Sequence, residues 1–184
     1  RMSPLQNQEI ISFLQDHASD TETSRSAYWN NEVPNFSIAA DGSLDGSCAA
    51  GSVSTKRGLF YDAAHWVLQT PWRYLGRNFP CFKTHLATGH QIAESQQRQF
   101  TEDMMRQVLT VSLVEQHVDL KDPAIASCVI GDGYGVLSSM LLKTFPARKV
   151  ILVNLTKTLL ADLTFLSRAV PGVRIALAQD EEEM

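Results

Sequence analysis

The sequence predicts an α/β protein: a mostly helical region over residues 1–122, then part of a parallel-sheet βαβαβ unit over 123–184. Three observations carry that expectation. Short apolar runs at 126–130, 150–153 and 173–177 stop at glycines or polar residues, as buried strands do. Between them lie stripes of helical period: Val136, Leu137, Met140, Leu141 and Phe145, then Leu159, Leu163, Leu166 and Val170. Upstream, the longest apolar stripe also recurs nearer every 3.6 positions than every second one. Strands alternating with helices at this spacing fold as parallel strands with helical crossovers.

The helical region begins with Ser3-Pro4, a capping hydroxyl and a first-turn proline ahead of Leu5, Ile10, Ile11 and Leu14. A short helix ending near His17 is expected, followed by a polar loop over 19–25 and the aromatic pair Tyr28-Trp29. Residues 37–58 are crowded with Gly, Ser and Ala and bury too little to offset ordering entropy, so a flexible loop or loose hairpin is expected. Phe60, Ala64 and Val67 share one face of a helix over 59–68 that Pro71 stops, ahead of an aromatic cluster, Trp72 to Leu75. The longest helix is expected from about 91 to 117, with Ile92, Phe100, Met104, Val108, Val111 and Val114 as its stripe. Asp122-Pro123 ends it.

Composition narrows the function. Twenty acids against 16 Lys and Arg give a net charge of −4, which argues against nucleic acid as the partner. No apolar run is long enough to span a bilayer, so no membrane partner is expected. Cys48, Cys81 and Cys128 are odd in number and widely spaced, which suits a reducing compartment better than a disulfide framework. With no leader pattern in the first residues, the expected location is cytoplasmic.

The chemistry concentrates at Gly131-Asp132-Gly133-Tyr134-Gly135, between the first strand and its helix. Alternate glycines let the chain turn sharply and let a ligand approach the main chain. The helix start behind them offers free amides suited to a carboxylate or phosphate. A dinucleotide fingerprint would need glycine at Val136, which disfavours a nicotinamide-dependent oxidoreductase. The Gly-x-Gly-x-Gly form points to S-adenosylmethionine. Asn154 ends the second strand beside the turn, where a ribose is normally held, and Gln179-Asp180 occupies the next strand end.

These segments, with Leu152-Val153-Asn154-Leu155 and the helix that closes at Pro171-Gly172, resemble class I S-adenosylmethionine-dependent methyltransferases. The nearest likeness is to the putative sugar O-methyltransferase family, over roughly residues 128–177. The resemblance implies a Rossmann-like core in which Gly131, Asp132, Gly133, Tyr134 and Gly135 hold the cofactor's methionine end. It implies Asn154 at the ribose and Asp180 at the adenine, a small-molecule acceptor such as a sugar, and no metal. Val129 stands where the family carries an acid, and Asn154 where it carries Asp. Those departures favour a second expectation, a non-catalytic binding or assembly protein that kept the fold. Only 184 − 135 = 49 residues follow Gly135, about half a sheet of that fold. A fragment, or a chain completed by a second copy or another partner, is therefore expected, without turnover as a lone monomer.

Other constellations are weaker. His90, just ahead of the long stripe, is the candidate general base, a role that would fall to it if the acceptor is a hydroxyl. His85 and His90 lie near Cys81 but without a strong metal-ligand spacing. Residues 41–52 begin like a calcium loop but end on Ser52 where glutamate is needed. Trp29, Trp66, Trp72 and Tyr74 could stack on a sugar, although such aromatics more often fill a core.

Overall fold

The computed structural model describes residues 7–17, 36–38, 44–46 and 58–177. The Ser3-Pro4 cap, Tyr28-Trp29, Cys48, most of the calcium-like loop and Asp180 lie outside the described residues. Helix α1 is Asn7–His17, ending where the sequence places it. Strands β1, Phe36–Ile38, and β2, Leu44–Gly46, pair antiparallel at the start of the region where a loop or loose hairpin is expected.

Helix α2, Leu59–Leu68, is followed at once by α3, Thr70–Gly76. Pro71 both stops the first helix and opens the second, because a proline in a first turn removes only an amide that has no partner. The expected apolar face of α2 is open to solvent: Phe60 is 95% exposed and Val67 61%.

The single long helix expected over 91–117 is two helices, α4, Phe82–Ser95, and α5, Glu102–Val114. Gln97 takes a left-handed φ of 55°, and its amide bonds Glu94 O while that of Arg98 bonds Ala93 O. That pair of bonds is a Schellman closure, usually built on glycine. Thr101 then caps α5 by accepting from the Met104 amide.

Strand β3, Ala126–Ile130, leads through the glycine turn to α6, Val136–Thr144. Strand β4, Lys149–Val153, pairs parallel to β3 from Ala126↔Lys149 to Ile130↔Val153. Helix α7, Thr156–Ala169, follows. The third strand expected over 173–177 is not formed. Ile175 and Leu177 instead pack with Ile10 and Leu14 of α1 and Leu160 and Leu163 of α7. Among the described residues the fold is therefore mixed α/β and mostly helical, with seven helices and one two-stranded parallel sheet.

One apolar core joins α4 and α5 to the strand–turn–helix unit. Ile92, Met104, Met105 and Val108 meet Val129, Tyr134, Met140 and Phe165 in it. Arg148, itself buried, ties the start of β4 to β3 and to the chain before it by donating to Ser127 Oγ (2.6 Å) and Leu120 O (2.8 Å). No helix among the described residues is long and apolar enough to cross a membrane.

Candidate functional site

The turn that follows β3 is built by three glycines with positive φ: Gly131 at 72°, Gly133 at 85° and Gly135 at 61°. They serve different ends. A Cβ on Gly131 would meet nothing within 4 Å, so the main chain there faces open space. A Cβ on Gly135 would come within 2.5 Å of Asp162 O and 3.1 Å of Leu166 Cβ, because α7 crosses directly against it. Gly131 borders open space; Gly135 leaves room for a helix.

Asp132 does not point outward. Its two oxygens accept from the Leu137 and Ser138 amides, each at 2.8 Å, and cap α6. The amides expected to meet a ligand's carboxylate or phosphate are thus satisfied from within. Tyr134 is buried, edge-on to Phe165 with centroids 5.2 Å apart.

Asn154 faces Asp162, a residue of α7 with no solvent exposure. Asn154 Nδ2 donates to Asp162 Oδ2 (2.7 Å), and Asn154 Oδ1 accepts from Thr158 Oγ1 and the Leu155 amide, both at 2.9 Å. Asp162 Oδ1 accepts from the Gly135 amide at 3.2 Å. Burial, reinforced by the charge of Asp132, pushes Asp162 up to about 8, against the pull of its bonds to Asn154 and Gly135. Burial also raises Asp132, with the α6 amides opposing it. Burial thus favours the neutral, protonated form of the acids behind the turn.

The structure thus joins the turn and Asn154 through Asp162, while His90 belongs elsewhere. It sits at the lip of a groove of about 530 Å³, lined also by His65, Trp66, Arg73, Arg98 and Phe100. The His90 ring lies on Phe100 (centroids 4.1 Å, tilt 30°), and this burial, with Arg73 nearby, holds its imidazolium below the usual range. At neutral pH it is an unprotonated base. His85 points into the protein instead, with Nδ1 2.9 Å from Ser112 Oγ and Nε2 3.1 Å from Glu115 Oε2. Among the described residues no group of three His, Cys, Asp or Glu side chains could hold a metal ion.

The α4–α5 link connects groove and turn. Gln96 Nε2 donates to Tyr134 O (3.1 Å), Arg98 Nη1 donates to Gln96 Oε1 (3.3 Å), and the Arg98 guanidinium lies 3.9 Å over the Tyr134 ring. Asp162 and Arg98 were not singled out from the sequence. Asp162 had a signal: it falls three residues after Leu159 and four before Leu166, a carboxylate on an apolar stripe. Arg98 had none. Comparison of the chain with protein-family models, curated proteins and solved structures finds no match.

Proposed function

We propose that the chain binds S-adenosylmethionine at the 131–135 turn and serves transfer of its methyl group to an oxygen, with a sugar as the acceptor. The observation that carries this reading is the turn itself. Three left-handed glycines join a parallel strand to a helix, with open space at Gly131. The cofactor would supply a methyl group on a positively charged sulfur. The main chain at Gly131 and Gly133 would hold it, and Asp162 and Asn154 would keep the turn in shape. In-line placement of acceptor and methyl would supply most of the acceleration. The free thiols Cys81 and Cys128 support a reducing, cytoplasmic setting. A partner strand or second copy along the two-stranded sheet belongs to the same reading.

One observation favours a non-catalytic binding protein instead. The Asn154 amide is engaged with Asp162, Thr158 and Leu155, where the enzyme reading wants it at a ribose. Ultraviolet cross-linking of methyl-labelled S-adenosylmethionine, followed by tryptic mapping, separates the two. Label on the peptide 122–143, which holds the turn, supports cofactor binding; label elsewhere or none refutes it.

A further inference from the structure

We propose that the groove between α2–α3 and the α4–α5 link is a second ligand site, one that takes a neutral flat ring carrying a hydrogen-bond donor and acceptor side by side, as a primary carboxamide does. Its size, about 530 Å³, lies in the range of small-molecule pockets. Two glutamines line it, Gln69 at 3% exposure and Gln99 at 8%. Gln69 Nε2 donates to Phe100 O (2.9 Å), which fixes the nitrogen end of that amide and leaves Oε1 without a hydrogen bond among the described residues. The Gln99 side-chain amide has no such partner for either end. Neither amide is sealed from solvent, and both belong to the groove, so their hydrogen bonds are completed by what enters it. Acceptor oxygens and an amide nitrogen together match a ligand that both donates and accepts. A ligand that only accepts leaves the oxygens unpaired.

The charges of the groove are engaged or balanced within the chain, so they favour a neutral occupant over an ionic one. Arg98 donates to Gln96 Oε1 and lies over the Tyr134 and Phe165 rings, 3.9 and 5.4 Å from their centroids. Arg73 donates to Trp66 O and to Thr70 Oγ1, and it covers the Trp66 ring at 4.4 Å. The carboxylates that line the groove, Asp62 and Glu94, are exposed and screened by water. An anion meets those acids and finds both guanidiniums in use; a cation meets the guanidiniums themselves. His90, with one face on Phe100, is held unprotonated at neutral pH by that burial and by Arg73, so its ring adds aromatic surface without charge. The site stands on the groove alone and needs no cofactor at the glycine turn.

The test is calorimetric titration of the 184-residue chain with benzamide and three probes of the same shape. Benzoate is its anionic counterpart, benzamidine its cationic one, and acetophenone accepts a hydrogen bond but cannot donate. Benzamide should bind at millimolar concentration, about tenfold or more tighter than each of the others. Gln99→Met, which removes the amide and keeps the length of the side chain, should bring benzamide down to acetophenone's level. Gln99→Glu should move the preference to benzamidine, a gain that a merely structural defect does not produce. Any of the three binding the wild type as tightly as benzamide, no binding of any probe, or an order of preference unchanged by both Gln99 variants each overturns the proposal. S-adenosylmethionine titrated into the same wild-type sample keeps the two readings apart. Probe binding without cofactor binding defeats only the methyltransferase, and the converse defeats only the groove.

Discussion

Asn154 donates to Asp162 across 2.7 Å, and that bond fastens the end of β4 to a carboxylate with no solvent exposure on α7. The same carboxylate accepts from the Gly135 amide, so strand end, helix and glycine turn share one network. The shape of the turn depends on a buried acid, and its stability should depend on pH in a definite direction.

The Asp162 carboxyl loses its proton near 3.8 when unfolded and near 8 when folded. Between those values the folded chain holds a proton that the unfolded chain has lost. Its contribution is full below about 4 and is lost as pH rises through about 8. Melting temperatures of wild type and Asp162→Asn should therefore diverge across that window, the wild type losing ground as pH rises. Parallel curves would show that Asp162 is ionised throughout.

Asn154→Asp replaces the donor that faces Asp162 with a second carboxylate. Stability should fall by about 1–3 kcal/mol, since a buried acceptor loses its partner. The loss should be larger above pH 8, where neither acid keeps a proton to share. Urea unfolding on either side of that value measures both effects, and a loss that does not change with pH would contradict the arrangement.

Gly135→Ala should cost more than Gly131→Ala. Both place a Cβ on left-handed backbone, at about 1–2 kcal/mol. Only Gly135→Ala also drives that Cβ against Asp162 O, which adds about 1–3 kcal/mol of overpacking. Equal losses in a denaturant melt would mean that α7 does not cross the turn as described.

His85 gives the opposite pH sign. Burial lowers its imidazole, with Glu115 offsetting part of the shift, so the folded chain resists a proton that the unfolded chain takes up near 6.5. Stability is present above that pH and is lost as pH falls through the lowered value. His85→Gln should flatten the acid limb of the stability profile; an unchanged limb would place the titration elsewhere.

Much of the frame was legible in the sequence because period and punctuation agree with the packing. The strand at 126–130, the helices that begin at 136 and 156, and the helix at 59–68 all lie where stripes and breakers put them. The break at 96–101 was hidden because its left-handed residue is Gln97, where glycine would have announced it. The run 173–177 has the composition of a strand, yet Ile175 and Leu177 find their apolar partners on α1 and α7. The glycine turn was visible as a motif. That Asp132 would turn inward to cap α6 was not, since capping by a residue ahead of the helix depends on the backbone path.

The central claim, that the 131–135 turn holds S-adenosylmethionine, is tested most directly by calorimetric titration of that cofactor into the wild type and Gly131→Ala. A methyl group at Gly131 enters open space, so the variant should fold with only a modest loss of stability. The account predicts saturable binding by the wild type, weakened about tenfold or more by Gly131→Ala, because the added Cβ occupies the ligand's place. No heat from the wild type at millimolar cofactor, or equal affinity in the two chains, would contradict it.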